Sequence, residues 1–334
     1  MARQIVNASH RRSSHLRRGR GLSGISGDTN EDIIAQLGLV EEIRRLQKIL
    51  AAWLGDSSGE IRQLLEWQFL GKSKYFRPLT VFSCYRATHK SAIPLRLMHS
   101  AVVVEMFHNV SLIIDDILDE SNQRRGKPTL HFRFGLLAAL MTSGYIVADA
   151  YEIVAHDPFD IQLFCELMKR LSVAECLQWR LRRQPLGVED WLKIASEDTG
   201  SMFEICACLG TGSERLRRFG HLLGVLYHGC DDVGDAKGLE SLGGGGDEDL
   251  RDGILTLPAA LAIRDRHIAT LFCKPHPTEE ELAEIATGIT AKLPEAEQYL
   301  DGIADQARKE GRLYASDPAP LLALVDHVRE LSRR

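Results

Sequence analysis

No stretch of this sequence alternates apolar and polar residues between turn signals, so no β-sheet is expected. An uncharged run of membrane-spanning length is also missing. The longest, Phe134 to Ala148, falls short of the roughly 20 residues a spanning helix needs. It reads as a buried core helix, and no transmembrane segment is expected. A basic surplus is absent: the net charge is −5, which argues against a nucleic-acid partner because phosphate contacts need a positive surface. The seven cysteines are odd in number and scattered, without a disulfide framework or zinc-site spacing. They fit free thiols in a reducing, cytoplasmic compartment, with Cys206 and Cys208 as small core residues. No fixed-period repeat and no clear interdomain linker occur. The glycine run at 243–246 lacks the Lys-Ser/Thr of a P-loop and follows no strand, so it reads as a mobile loop near a site.

Acidic residues are missing from the first 27 positions, which hold Arg3, Arg11, Arg12, Arg17, Arg18 and Arg20 among serines and glycines. That composition fits a disordered tail; organellar transit peptides share it, although the amphipathic pattern here is weak. Residues 1–30 are accordingly set apart from a helical domain at 31–334.

From Glu31 onward the pattern is helical. Ile33, Ile34, Leu37, Leu39, Val40, Ile43, Leu46 and Leu50 recur at spacings near three and four, as one amphipathic helix. Leu97–Leu118 and Ile161–Leu181 read as longer apolar helices, and turn residues cut the whole into about ten to thirteen helices. With 44% hydrophobic residues the chain can bury a core without staples.

Chemistry concentrates in two aspartate clusters. Asp115, Asp116 and Asp119 end a helix that is apolar nearly all round, from Val102 to Ile114. Carboxylates four apart share a helix face and repel unless a cation bridges them. Mg²⁺ prefers such hard oxygen ligands, usually beside substrate phosphates. Asp231, Asp232 and Asp235 repeat the pattern after a second apolar helix, Phe219–Tyr227. Two facing clusters could hold several Mg²⁺ ions around one diphosphate and neutralise the charge developing on it as it leaves.

With these clusters the chain resembles the trans-isoprenyl diphosphate synthases, the polyprenyl synthetase family, over roughly residues 65–265. Further motifs in order carry the resemblance: Lys74-Tyr75-Phe76-Arg77-Pro78, Glu105–Asn109, Arg124–Thr129, Glu175 with Gln178, and Asp249–Pro258. It implies an all-α fold: a single large helical bundle of the isoprenoid synthase type with a central apolar cavity. It also implies Mg²⁺ held by the six aspartates, and a homodimer. Lys74, Arg77, His108 and Arg125 would grip isopentenyl diphosphate and Arg124 the allylic diphosphate. Glu175, Gln178, Thr199, Tyr227 and His228 would complete the substrate site.

This chain departs from the family at several places. Asp198 and Ile254 stand where the family carries lysines of the allylic diphosphate site, Tyr75 replaces an arginine, and Tyr227-His228 replaces Phe-Gln. Asp198 could add a metal ligand or pair with an arginine. Three readings follow: a prenyltransferase condensing an allylic diphosphate with isopentenyl diphosphate, a terpene cyclase or unusual prenyltransferase on the same scaffold, and a non-catalytic partner subunit. The first is favoured by its isopentenyl-site residues. The third would be expected to lose aspartates, and all six are kept. Val110 and Ser111, one turn before the first cluster, are not aromatic, and Phe107 lies deeper, which suggests a product of C20 or longer.

Overall fold

A computed structural model describes residues 31–71, 73–238 and 246–333. The Arg/Ser-rich segment 1–30 and nearly all of the glycine run lie outside the described residues.

Seventeen α-helices account for most of the described chain. They are α1 (Glu31–Gln36), α2 (Val40–Asp56), α3 (Gly59–Phe69), α4 (Phe76–Thr88), α5 (Leu95–Leu118), α6 (Leu130–Phe134), α7 (Leu136–Ile153), α8 (Pro158–Leu181) and α9 (Val188–Ala195). After these come α10 (Ser201–Thr211), α11 (Arg217–Ala236), α12 (Gly246–Asp252), α13 (Leu257–Ala262), α14 (Arg266–Phe272), α15 (Glu279–Thr290), α16 (Leu293–Tyr314) and α17 (Ala319–Glu330). A π-helical turn, Ser196–Gly200, joins α9 to α10. The all-α class holds; the only pairing among the described residues is a two-residue hairpin, Gln123–Arg124 (β1) with Lys127–Pro128 (β2).

The helix count exceeds the expectation because short helices punctuate the turns. The amphipathic run after Glu31 is two helices, broken where Gly38 adopts φ +63°. Other ends follow their side chains. Asp157 accepts from the Phe159 and Asp160 amides to start α8, and Thr278 with Glu281 forms a capping box on α15.

One contiguous apolar core runs from Ile33 to Leu331, with α5 and α10 at its centre. Cys206 and Cys208 are buried in α10, as the pattern suggested. Glycines let α11 approach closely. A Cβ on Gly220 would stand 2.5 Å from the Phe203 carbonyl oxygen, and one on Gly224 2.5 Å from that of Thr199. This contact seats the second aspartate cluster against the π turn.

The reading of Phe134–Ala148 needs correction. In α7, Leu136, Leu137, Leu140 and Met141 face outward, with Leu137 72% and Met141 59% exposed. Hydropathy registers an apolar helix but not what covers it. Two helices, Leu95–Leu118 and Leu136–Ile153, also reach membrane-spanning length and composition, contrary to expectation. The first is mostly enclosed by the bundle, as core helices are.

Candidate active site

Five elements converge on two adjoining cavities. The last turns of α5 supply the first aspartates and α11 the second; α8, the π turn and the 249–256 segment close the larger space, of about 530 Å³. Its walls carry Asp115, Asp119, Asp231, Asp232 and Asp235, together with Glu175, Gln178, Asp198, Thr199, His228 and Asp249. The smaller cavity, about 270 Å³, is lined by Lys74, Glu105, Asn109, Asp116 and Lys127. Arg77, His108, Leu112, Arg124, Arg125 and Tyr227 line both and form their common wall. All sixteen sequence-selected residues therefore meet in one region.

They do not all face the same way. On a helix, Asp115 and Asp119 share a face while Asp116 points about 100° round it. Asp116 is thus turned from the other carboxylates and accepts from Arg124 Nε at 2.6 Å. The sequence places Asp116 with the metal carboxylates; in the structure the contact it makes is with an arginine, which it orients. Asp232 lines the larger cavity, but its Oδ2 takes the Trp191 indole N–H (2.7 Å) and the Leu257 amide (2.8 Å). Its geometry ties α11 to α9 and α13.

Trp67 fixes the hairpin that carries the two arginines. Its indole N–H donates to the Pro128 carbonyl at 3.0 Å, and Lys127 and Arg133 lie over its ring at 4.1 and 4.2 Å. Arg125 holds φ +52° and Tyr75, at the head of α4, the same value; such strain collects at functional turns. Arg77 Nη1 donates to His108 Nε2 at 3.1 Å, and burial, with Arg77 next, holds His108 well below its ordinary pKa, hence neutral.

Among the described residues Asp198 bonds no arginine; its Oδ2 lies 3.3 Å from His228 Nδ1 and accepts from Thr199 Oγ1 at 3.0 Å. Burial opposes charge on His228, yet Asp232 and Asp198 outweigh it and hold the imidazolium up to about 9. Two further residues went unnoticed in the sequence. Arg182 grips Asp119 at 2.6 Å, and Arg183 donates through its amide to the Gly253 carbonyl at 2.9 Å, joining α8 to the segment after the second cluster. Neither arginine belongs to a motif that would have signalled it.

The cluster fits cations. Buried oxygens of Asp115 and Asp231 (Oδ1 in each) have no hydrogen-bond partner. Among the described residues no three ligating side chains stand close enough to hold an ion alone.

Burial, followed by neighbouring carboxylates, pushes Glu175 and Asp231 up to about 7 and Asp249 to about 8. Unfolded, these groups ionise near 4.5, 3.8 and 3.8. As pH rises through this range the folded chain sheds protons the unfolded chain has already lost, so stability falls. The His228 contribution, lost as pH rises through about 9, has the same sign. That of neutral His108 is opposite but is confined to below 6.5, where the unfolded imidazole charges; Lys74 and Lys127, lowered by burial, also oppose, and the four groups of the first sign outnumber them. Without metal, the Tm should be higher at about pH 6.5 than at about pH 8.5, and Mg²⁺ should shrink the gap by replacing protons. A metal-free Tm that climbs over this interval would contradict the carboxylate cluster as described.

The sequence profile described as polyprenyl synthetase matches residues 59–288. The chain is similar to a nonaprenyl diphosphate synthase of Mycobacterium tuberculosis, at 28% identity over 86% of this chain and 91% of that protein. It is also similar to heptaprenyl diphosphate synthase component 2 of Geobacillus stearothermophilus, at 29% identity over 71% of this chain and 78% of that protein. In fold it matches a polyprenyl synthase from Caulobacter crescentus CB15, solved with calcium and isoprenyl diphosphate. The TM-score is 0.80 at 22% identity, over 91% of this chain and 99% of that one. A profile match spanning most of the chain, on a bundle that brings both aspartate clusters to one cavity, shows that this protein belongs to the polyprenyl synthetase family and is a prenyltransferase.

Proposed function

We propose that this prenyltransferase condenses an allylic prenyl diphosphate with isopentenyl diphosphate, using Mg²⁺, and releases a prenyl diphosphate of C20 or longer. The observation that carries the reading is the pair of adjoining cavities with a common wall. Ionisation alone needs one diphosphate site; condensation needs two, opening on each other.

In the carboxylate-lined cavity, Asp115, Asp119, Asp231 and Asp235 would hold Mg²⁺. When bound there, Mg²⁺ supplies neutralisation of the charge on the departing diphosphate. Arg124, aligned by Asp116, reaches the same cavity from the hairpin. In the second cavity Lys74, Arg77 and Arg125 provide the charge that an isopentenyl diphosphate needs. Neutral His108, fixed by Arg77, adds an imidazole without adding repulsion between cations. Two turns before Asp115 on α5, Phe107 packs on Phe164 at 5.2 Å and Tyr151 at 5.5 Å, an aromatic cluster that would meet and shield a growing chain from water. That spacing supports the longer product.

The test is incubation with Mg²⁺ and geranyl, farnesyl or geranylgeranyl diphosphate, with and without isopentenyl diphosphate, read by mass spectrometry before and after phosphatase. A longer diphosphate made only with isopentenyl diphosphate supports the reading and sets the length. A hydrocarbon or alcohol made without it would replace the reading with a cyclase.

We further propose that residues 31–334 act as one domain, in a reducing cytoplasmic compartment, and that α7 is the seat of a homodimer. The seven unpaired thiols support the compartment. The dimer is supported by the exposed stripe Leu136, Leu137, Leu140 and Met141, with Phe132 of α6 close in sequence. The double substitution Leu137→Asp, Met141→Asp should convert a dimer to monomers in light scattering. A wild-type monomer that dimerises only with a second polypeptide would overturn self-association.

A further inference from the structure

The wall of the larger cavity built by the π turn and α11 carries much negative and little positive charge. Asp198, Asp231, Asp232 and Asp235 line it, and His228 is its only basic side chain among the described residues. Arg124 is engaged by Asp116, and Arg77 lies against His108. A diphosphate spanning the two aspartate clusters therefore has one basic donor to meet on this side.

That donor is held with unusual care. Thr199 Oγ1 lies 3.1 Å from His228 Nδ1 and Asp198 Oδ2 lies 3.3 Å from the same atom, while Thr199 also donates to Asp198 at 3.0 Å. The ring's other nitrogen, Nε2, lies 3.9 Å from Asp232 Oδ1, and both residues line the larger cavity. Asp198 reaches this position because its backbone departs from helix (φ −81°, ψ −107°) inside the π turn. Such bulges re-aim side chains, frequently at functional sites.

We propose that Asp198, Thr199 and His228 act as one interlocked unit, in which Asp198 and Thr199 are positioning residues that fix the Nδ1 edge so that the Nε2 edge of His228 donates to the allylic diphosphate. The unit stands in for the lysines that the resemblance places at 198 and 254. It rests on the larger cavity being the allylic site, as proposed above. The contrary view makes Asp198 an adverse charge in an anion site, and the two predict opposite signs.

The measurement is calorimetric affinity for farnesyl thiolodiphosphate with Mg²⁺, beside KM and kcat for both substrates. His228→Gln should weaken the analogue about ten- to a hundredfold, the scale of one charge-assisted hydrogen bond. Asp198→Asn should weaken it in the same direction, and Thr199→Val less. The double variant should be no worse than His228→Gln alone, because Asp198 acts through the histidine. The allylic KM should rise in parallel while the isopentenyl KM stays near wild type, a split that misfolding would not produce. Tighter or unchanged binding by Asp198→Asn, or additive losses in the double variant, overturns the unit even where the wild type elongates normally. A wild type that fails to bind the analogue overturns the allylic assignment together with it.

Discussion

Asp115→Ala and Asp231→Ala should each lose at least about a hundredfold in Mg²⁺-dependent turnover while melting no lower than the wild type. The activity loss follows from removing a preorganised group that serves charge developing on the diphosphate, where single deletions cost about 10²–10³. The stability result follows from burial. Each residue keeps one buried oxygen without a partner. Burial raises both carboxyls above their ordinary range; next in size are Glu175 for Asp115 and Asp235 for Asp231. Removing a buried carboxylate whose burial outweighs its partners relieves a larger cost than the contact it gives up. Asp116→Ala is the informative contrast. It releases Arg124 and leaves those two carboxylates in place, so the effect should appear in substrate KM rather than in the Mg²⁺ requirement. Steady-state kinetics against Mg²⁺ concentration, with melting curves, separates the cases. Full activity in both alanine variants would remove the metal assignment.

Gly224→Ala should be among the most damaging small substitutions in the protein. The added methyl would stand 2.5 Å from the Thr199 carbonyl oxygen, 2.8 Å from Gly200 Cα and 3.0 Å from Phe203 Cβ. Two of these three atoms belong to backbone, which cannot rotate aside, so α11 must move off the π turn. Overpacking of this kind costs about 1–3 kcal/mol, more than the ~0.4–1 kcal/mol that alanine returns by stiffening the unfolded chain. The shift would also part His228 from Asp198, so activity should fall further than stability. Gly302 in α16 is the control. Nothing lies within 4 Å of its absent Cβ, and Gly302→Ala should stabilise by about 0.5–1 kcal/mol. Denaturant midpoints measure both; an equal response at the two sites would contradict the close contact.

Some of this was legible in the sequence. Carboxylates ending an apolar helix are an energetic anomaly within a single segment, and α5 and α11 needed no partner to reveal them. Lys74, Arg77 and the Arg124-Arg125 pair were found through motif order. The orientation of Asp116 was not legible, because it depends on where a hairpin several residues later docks, and Trp67 rather than any motif residue decides that. Asp198 and His228 are thirty positions apart and meet only because the π turn swings one toward the other. The exposed stripe of α7 escaped for a different reason. Apolar periodicity reports that a face must be covered and is silent on whether the chain itself covers it.

The wall common to the two cavities has a kinetic consequence. Arg77, His108, Arg124, Arg125 and Tyr227 each belong to both spaces, so neither compartment is insulated from the other's ligand. In the proposed condensation each substrate is a diphosphate, and each would be a weak competitor for its neighbour's berth. Velocity should pass through a maximum and bend downward as isopentenyl diphosphate is raised at fixed allylic diphosphate. Flux through such an enzyme is throttled by the ratio of its two feeds rather than by their sum.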